Sequence, residues 1–316
     1  MDNSEKTLSA AHEIVLKRIR DIPSLPEVVN RMIQLLGEPN VPASKIAELI
    51  SYDPGLTSKV LRMVNSAAYG FQRQISSIQH GIMILGFNTV RGLVLSASIF
   101  KLFEGQNNPA GIGQNRLDHY RFWRHCLGTA MAARLVANNL KGSDPRFNDL
   151  DDAFSAGMLH DIGKIVLDVY FSKSYSDVLG EAKKQQLLTH GQGFIELESR
   201  LMGVTHTQIG SYLASKWRLP LGISEVIACH HEPQNAQHSQ PLVYLIALAN
   251  QLAIILYEHQ GIYSRSHFSQ DVLAYFNYEG DSEPARLLQL LKAEVDSAED
   301  LLNSISMNSP SEATTP

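Results

Sequence analysis

Apolar residues recur along this chain at spacings of three and four, and no convincing two-residue alternation bounded by hairpin turns interrupts them. The pattern predicts helices throughout. Val28, Val29, Met32, Leu35 and Leu36 form one stripe behind Pro26 and stop at Gly37. Ser44 opens a second helix through Ile46, Leu49 and Ile50, and Asp53-Pro54 caps a third that carries Leu56, Val60, Leu61 and Val64. Ser76-Ser77 starts a fourth with Ile78, Ile82 and Leu85, up to Gly86. The stretch 88–103 is apolar over most of its circumference and is expected to be buried on several sides. Residues 105–113, with Asn107, Asn108 and Pro109, read as a loop and as the best domain boundary.

A second helical block follows. The spacing predicts a long helix over 117–140, a loop over 141–148, and a helix over 151–160 with a small apolar face. Further helices are expected over 175–188, 193–202, 205–216, 223–230 and 242–259, and Glu283-Pro284 starts a last one through Leu287, Leu288, Leu291 and Val295. The fold class is all-α in two lobes. The expected organisation is an N-terminal helix (1–20), a first lobe (21–115), a second lobe (116–280), a C-terminal helix (281–307) and a fraying Ser/Thr/Pro tail (308–316).

Composition narrows the class of protein. With 316 residues and 44% apolar content the chain can build one large domain or two modest ones. The balance of 27 basic against 32 acidic residues gives a net charge of −5. Nucleic-acid binding depends on clustered Lys and Arg, so this balance argues against it. Two cysteines, Cys126 and Cys229, exclude a disulfide scaffold and suggest a reducing, cytoplasmic setting. Met1 to Lys6 is polar, with no secretory pattern after it. The most apolar run, 242–257, is broken by Asn250 and Gln251 and falls short of the roughly 18–20 residues of a membrane span. A buried amphipathic helix is the expectation there.

The chemistry-bearing residues gather in the second lobe. Leu159-His160-Asp161-Ile162-Gly163-Lys164 places an imidazole beside a carboxylate at a helix end, and Gly163 can end the helix and let backbone approach. His125 lies in a helix, His206 near the start of another, and His230-His231 end a third. Taken singly, each is more often a hydrogen-bonded core histidine. Together they form a candidate set for Zn, Fe, Ni or Mn, with a carboxylate to balance charge. Neighbours such as His230 and His231 diverge by about 100° on a helix, and reach one point more easily at its end. Lys164 is either a cation for a developing phosphate charge or a helix C-terminal cation facing the macrodipole. His12, His80, His119, His190, His238, His259 and His267 are expected to be structural, and both cysteines small buried residues rather than ligands.

Five segments now carry a family resemblance: Ile22-Pro23-Ser24-Leu25-Pro26, Ile50-Ser51-Tyr52-Asp53-Pro54-Gly55-Leu56, Val64-Asn65-Ser66-Ala67-Ala68-Tyr69-Gly70, Ile75-Ser76-Ser77-Ile78 and Leu85-Gly86-Phe87-Asn88. In this order they resemble the HDOD domain, a relative of the HD superfamily found in bacterial signalling proteins. The resemblance runs from Ile22 to about Tyr257. The second lobe is also similar to HD-GYP phosphohydrolases, whose ordered pattern is His, His-Asp, His, His-His, Asp. The resemblance implies His125, His160, Asp161, His206, His230 and His231 as metal ligands, with Asn250 at the last position. An Asn there offers a neutral carbonyl in place of a charge. The Gly-Tyr-Pro signature is missing after Pro233, which argues against cyclic-dinucleotide cleavage.

Three readings follow. The first is a signalling or regulatory HDOD protein that retains a divalent metal (Fe, Mn, Zn or Ni) and meets a signalling protein or a small phosphorylated ligand. The second is a metal-dependent phosphohydrolase acting on a nucleotide or phosphoester, with Asp161 anchoring the ions and Lys164 neutralising phosphate charge. The third is a DNA-binding regulator, suggested by helix–turn–helix spacing over 43–69; Lys59 and Arg62 are the only cations on its second helix. The first is favoured, because the HDOD resemblance spans more of the chain and the ligand set is altered at Asn250.

Overall fold

The computed structural model describes residues 22, 24–25, 27, 29–31, 42–64, 75–103, 115–148, 150, 152–187 and 191–296. The stripe expected over 28–37, the segment Asn65 to Gly70, the loop over 105–113, the N-terminal helix and the tail lie mostly or wholly outside them. Among the described residues the secondary structure is helical, with no strand.

The first group of helices is α1 (Ala43–Ser51), α2 (Pro54–Val64), α3 (Ile78–Leu85) and α4 (Phe87–Phe103). Their starts follow from local chemistry. The Asp53 carboxylate accepts the Leu56 N–H at 3.0 Å, with Pro54 at the first helical position where it forfeits no bond. Ser77 accepts the His80 N–H at 3.2 Å. Gly86, at φ +82°, makes the left-handed turn that separates α3 from α4. Helix α1 packs on α2 and α3, and both α2 and α3 pack on α4. As expected, α4 is buried on several sides, with Val90, Leu93, Val94, Leu95 and Ile99 all inside.

The second group is built on α5 (His119–Leu140), which packs against α6 (Ala153–Leu159), α12 (Gln240–Glu258) and α14 (Ser282–Asp296). Between them run α7 (Ile162–Tyr170), α8 (Ser172–Lys184), α9 (Gln192–Met202), α10 (His206–Lys216) and α11 (Leu221–Cys229). The short α13 (Gln270–Tyr275) lies on α12. Helices α7 and α13 did not announce themselves in the sequence, and 3-10 turns sit at Pro145–Phe147, Pro233–Asn235 and Arg265–His267. The two groups meet where α4 crosses α6. There Arg91, almost wholly buried, pairs with Asp152 at the start of α6, and Ser155 donates to the Asn88 carbonyl at 3.2 Å. A second tie is the Lys216 ammonium, which donates to the Ile22 carbonyl at 2.7 Å.

The apolar run near 242–257 needs correction. Helix α12 has 19 residues, long and apolar enough to cross a membrane, yet 72% of its apolar window is buried inside the protein. Residues Leu242 to Asn250 are buried without a break, so this half of the helix is enclosed on all faces rather than amphipathic.

Candidate metal centre

Helix α6 ends at Leu159, and His160 and Asp161 form the turn into α7. Asp161 stands at the N-cap position of α7 but caps no N–H. An Asp there ordinarily does so, at a gain of about 1 kcal/mol. Its carboxylate instead points into the protein, fully buried, and three other helices bring side chains to it. Oδ2 lies 3.4 Å from His160 Nε2 and 3.9 Å from His125 Nε2 of α5. Oδ1 lies 3.2 Å from His206 Nε2 of α10 and 3.5 Å from His230 Nε2 at the end of α11. The His125 and His160 Nε2 atoms are 3.3 Å apart. His231, half-buried, completes the group, its ring 4.3 Å from that of His230 and 5.2 Å from that of His206.

Two donor sets therefore share one carboxylate: His125, His160 and Asp161, and Asp161, His206, His230 and His231. Within each set the donor atoms lie within 4.8 Å of one another. Bonds of about 2.0–2.2 Å to a divalent ion place adjacent donors roughly 3–3.4 Å apart, which the Asp161 contacts to His160, His206 and His230 approach.

The outward faces of the rings are held. His160 Nδ1 donates to the Gly157 carbonyl at 2.8 Å, and His230 Nδ1 donates to the Val226 carbonyl at 3.1 Å. A carbonyl oxygen only accepts, so each Nδ1 carries the proton and each Nε2 presents a lone pair inward. His206 Nδ1 meets Glu198 Oε2 at 2.7 Å. The inward Nε2 atoms of His206, His230 and His231 are buried and have no hydrogen-bond partner. Such orphans are rare in folded proteins, and here they are the atoms a metal would take.

Electrostatics favour ligation at two of the rings. Burial lowers the His230 pKa to about 4 against the opposing pull of Asp161, and burial, reinforced by His230 and His206, puts His231 well below its ordinary value. Both rings are thus neutral, the ligating form, at physiological pH. Burial works against charge on His206, but Glu198 and Asp161 prevail and raise its pKa. Burial, with the charge of Asp161 adding, pushes the Cys126 thiol well up, and burial raises Cys229 as well. Both stay protonated thiols outside the donor sets.

Close backbone crossings position the site. A Cβ on Gly157 of α6 would stand 2.6 Å from Ala130 Cα of α5, so only glycine lets the two helices approach at this point. Gly163 does not end a helix; it is the second residue of α7, pressed against the His206 carbonyl. Thr205 and Gln208 form a capping box at the start of α10 and fix where His206 begins.

The macrodipole reading of Lys164 needs correction. It lies in the first turn of α7, the wrong end for a macrodipole cation. It is fully buried, with Nζ 2.6 Å from Asp161 Oδ2. Asn250 is buried in the middle of α12, its Oδ1 without a hydrogen-bond partner, on a helix packed against those bearing His125 and His160. Sequence reasoning missed Glu198. It also missed Asp168, which accepts from the Arg116 guanidinium at 3.0 Å, the Leu117 N–H at 3.2 Å and His119 at 3.0 Å. An Asp inside the apolar pattern Ile165-Val166-Leu167 was the available signal.

Among the described residues the fold is all-helical, and a His-Asp pair in it collects histidines from three other helices. The HDOD domain family matches residues 22–233, and the chain belongs to it. An uncharacterized protein of Treponema pallidum (strain Nichols) is 25% identical over 283 residues, covering 88% of this chain; the chain spans about half of that relative's length. Among solved structures, an HDOD domain protein of unknown function from Geobacter sulfurreducens is 24% identical with a TM-score of 0.71, over 96% of this chain and 99% of that one. A presumed phosphohydrolase of Shewanella amazonensis SB2B is 20% identical with a TM-score of 0.68, over 92% and 98%. A presumed signal transduction protein of Marinobacter aquaeolei VT8 is 20% identical with a TM-score of 0.72, over 95% and 66%. At these identities the likeness establishes the fold.

Proposed function

We propose that this chain is a regulatory HDOD module of a signalling system that holds divalent metal at the centre around Asp161. The observation that carries this reading is the convergence on one buried carboxylate of the buried Nε2 atoms of His206, His230 and His231, none of which makes a hydrogen bond of good geometry. Leaving such groups without a partner costs about 1–3 kcal/mol each, and an ion removes that cost. His206, His230, His231 and Asp161 would hold one ion; His125, His160 and Asp161 would hold a second, with Asn250 as a neutral donor. The partner would be a signalling protein or a small phosphorylated ligand. Elemental analysis of the chain purified without added metal is the test. Near-stoichiometric Fe, Mn, Zn or Ni supports the reading, and metal-free protein that takes up none of these ions on titration defeats it.

A second reading, a metal-dependent phosphohydrolase, is favoured by one specific feature: two donor sets share one carboxylate, with the buried Lys164 ammonium on its Oδ2. Bound ions would supply Lewis acidity and a water of lowered pKa. Lys164 supplies a fixed positive charge at the carboxylate, and the enclosed rings keep bulk water away. Release of p-nitrophenol from generic phosphoesters with Mn or Fe added tests it. Equal rates for the wild type and for His160→Ala and Asp161→Ala exclude it.

A further inference from the structure

We propose that Glu198 is a positioning residue that sets the affinity of the ion at the His206 end of the centre. This rests on the metal reading above and extends it to a residue outside either donor set. Glu198 belongs to α9, a helix that contributes no ligand, and its side chain is fully buried. Its Oε2 atom contacts one residue twice, accepting the His206 backbone N–H at 2.9 Å and facing His206 Nδ1 at 2.7 Å. With the ring held at Nδ1, His206 Nε2 is directed to Asp161 Oδ1. The carboxylate thus fixes the rotation of the ring and the nitrogen it presents.

A purely structural role explains less. The start of α10 is already secured by the Thr205–Gln208 capping box, and Gly203, in the left-handed conformation, already makes the turn out of α9. An anchor for two N–H donors needs only a neutral oxygen, which Gln provides with less desolvation than a buried carboxylate. The other oxygen, Oε1, is buried with no hydrogen-bond partner, as is the hydroxyl of Tyr175. What Glu adds over Gln is negative charge, placed behind the ring. There it offsets positive charge held on the opposite nitrogen, the arrangement of a carboxylate–histidine–metal triad.

The test uses the full chain stripped of metal and titrated with Zn or Mn against a chelator of known affinity. Glu198→Gln keeps an acceptor for both N–H groups, so its melting temperature without metal should match the wild type. Its affinity for one ion should fall by about 10–100-fold, the usual effect of losing such a partner, while the other ion binds as before. Glu198→Ala should lose at least as much, and His206→Ala marks the complete loss. Equal binding of both ions by wild type and Glu198→Gln overturns the role of Glu198 and leaves the metal centre standing. A fall in melting temperature that accounts for the whole loss of affinity also overturns it. A wild type that binds no ion removes the metal centre and this role together.

Discussion

Gly163 presses its Cα against the carbonyl oxygen of His206, so that any Cβ there would overlap that oxygen and stand 3.0 Å from the Gly210 N. Helices α7 and α10 cross at this point backbone to backbone. The distance between Asp161 and His206 is therefore fixed by the lack of a side chain two residues after the aspartate. Gly163→Ala should destabilise the fold by about 1–3 kcal/mol through overpacking. It should also weaken metal binding at the His206 set, because α7 must slide to make room. Thermal melts and metal titration check this; a variant that melts and binds like the wild type refutes it.

One carboxylate serving two donor sets predicts an asymmetry in stoichiometry. Asp161→Ala should lose both ions, whereas His125→Ala should lose one and His231→Ala should weaken the other. Metal content per chain after gel filtration reads the result directly. Retention of a full complement by Asp161→Ala would contradict the shared role.

The Lys164 ammonium lies 2.6 Å from Asp161 Oδ2. Removing one member of a buried pair typically costs about 3–5 kcal/mol, because the other charge is left unbalanced. Lys164→Met should approach that cost in metal-free protein, and added Mn or Zn should restore much of it by supplying positive charge at the same carboxylate. Urea unfolding with and without metal measures both. Identical metal-induced gains in wild type and variant would show that ion and lysine do not act on the same charge.

Asp168 gives a pH signature. Burial opposes its ionisation, but hydrogen bonds from His119, Arg116 and the Leu117 N–H outweigh this and lower its pKa from the ordinary 3.8. The unfolded chain therefore binds the proton more readily than the folded one. The stabilisation is present above about 3.8 and is lost as pH falls below that value through the folded pKa. Asp168→Asn should lower stability at neutral pH and flatten its acid dependence in that window. Unfolding free energies from pH 7 to pH 2 would show it, and parallel curves for both proteins would count against it.

Much of the scaffold was legible in the sequence because it is local. Asp53 before Pro54, Ser77 before Ile78, and proline behind Glu283 mark helix starts through residues adjacent in the sequence. The histidines were legible as candidates, in order and on the right elements. Helix α7 was not, because the sequence places His160-Asp161 at a helix end and gives no sign that a new helix begins at once. The direction of Lys164 followed from the same missing helix.

Convergence was implied only by the family resemblance, not by the spacing of the residues. His125, Asp161, His206 and His230 are tens of residues apart, and nothing in their spacing states that their side chains share a point. That was decided by helix crossings at Gly157 and Gly163, where the absence of a Cβ lets backbones touch. Glu198 shows the limit most clearly. In the sequence it is one acid among many, and only the packing of α9 beside the start of α10 turns it inward to His206. Short-range caps are written in neighbouring residues, whereas a buried charge acquires its meaning from the groups that the folded helices bring within hydrogen-bonding distance.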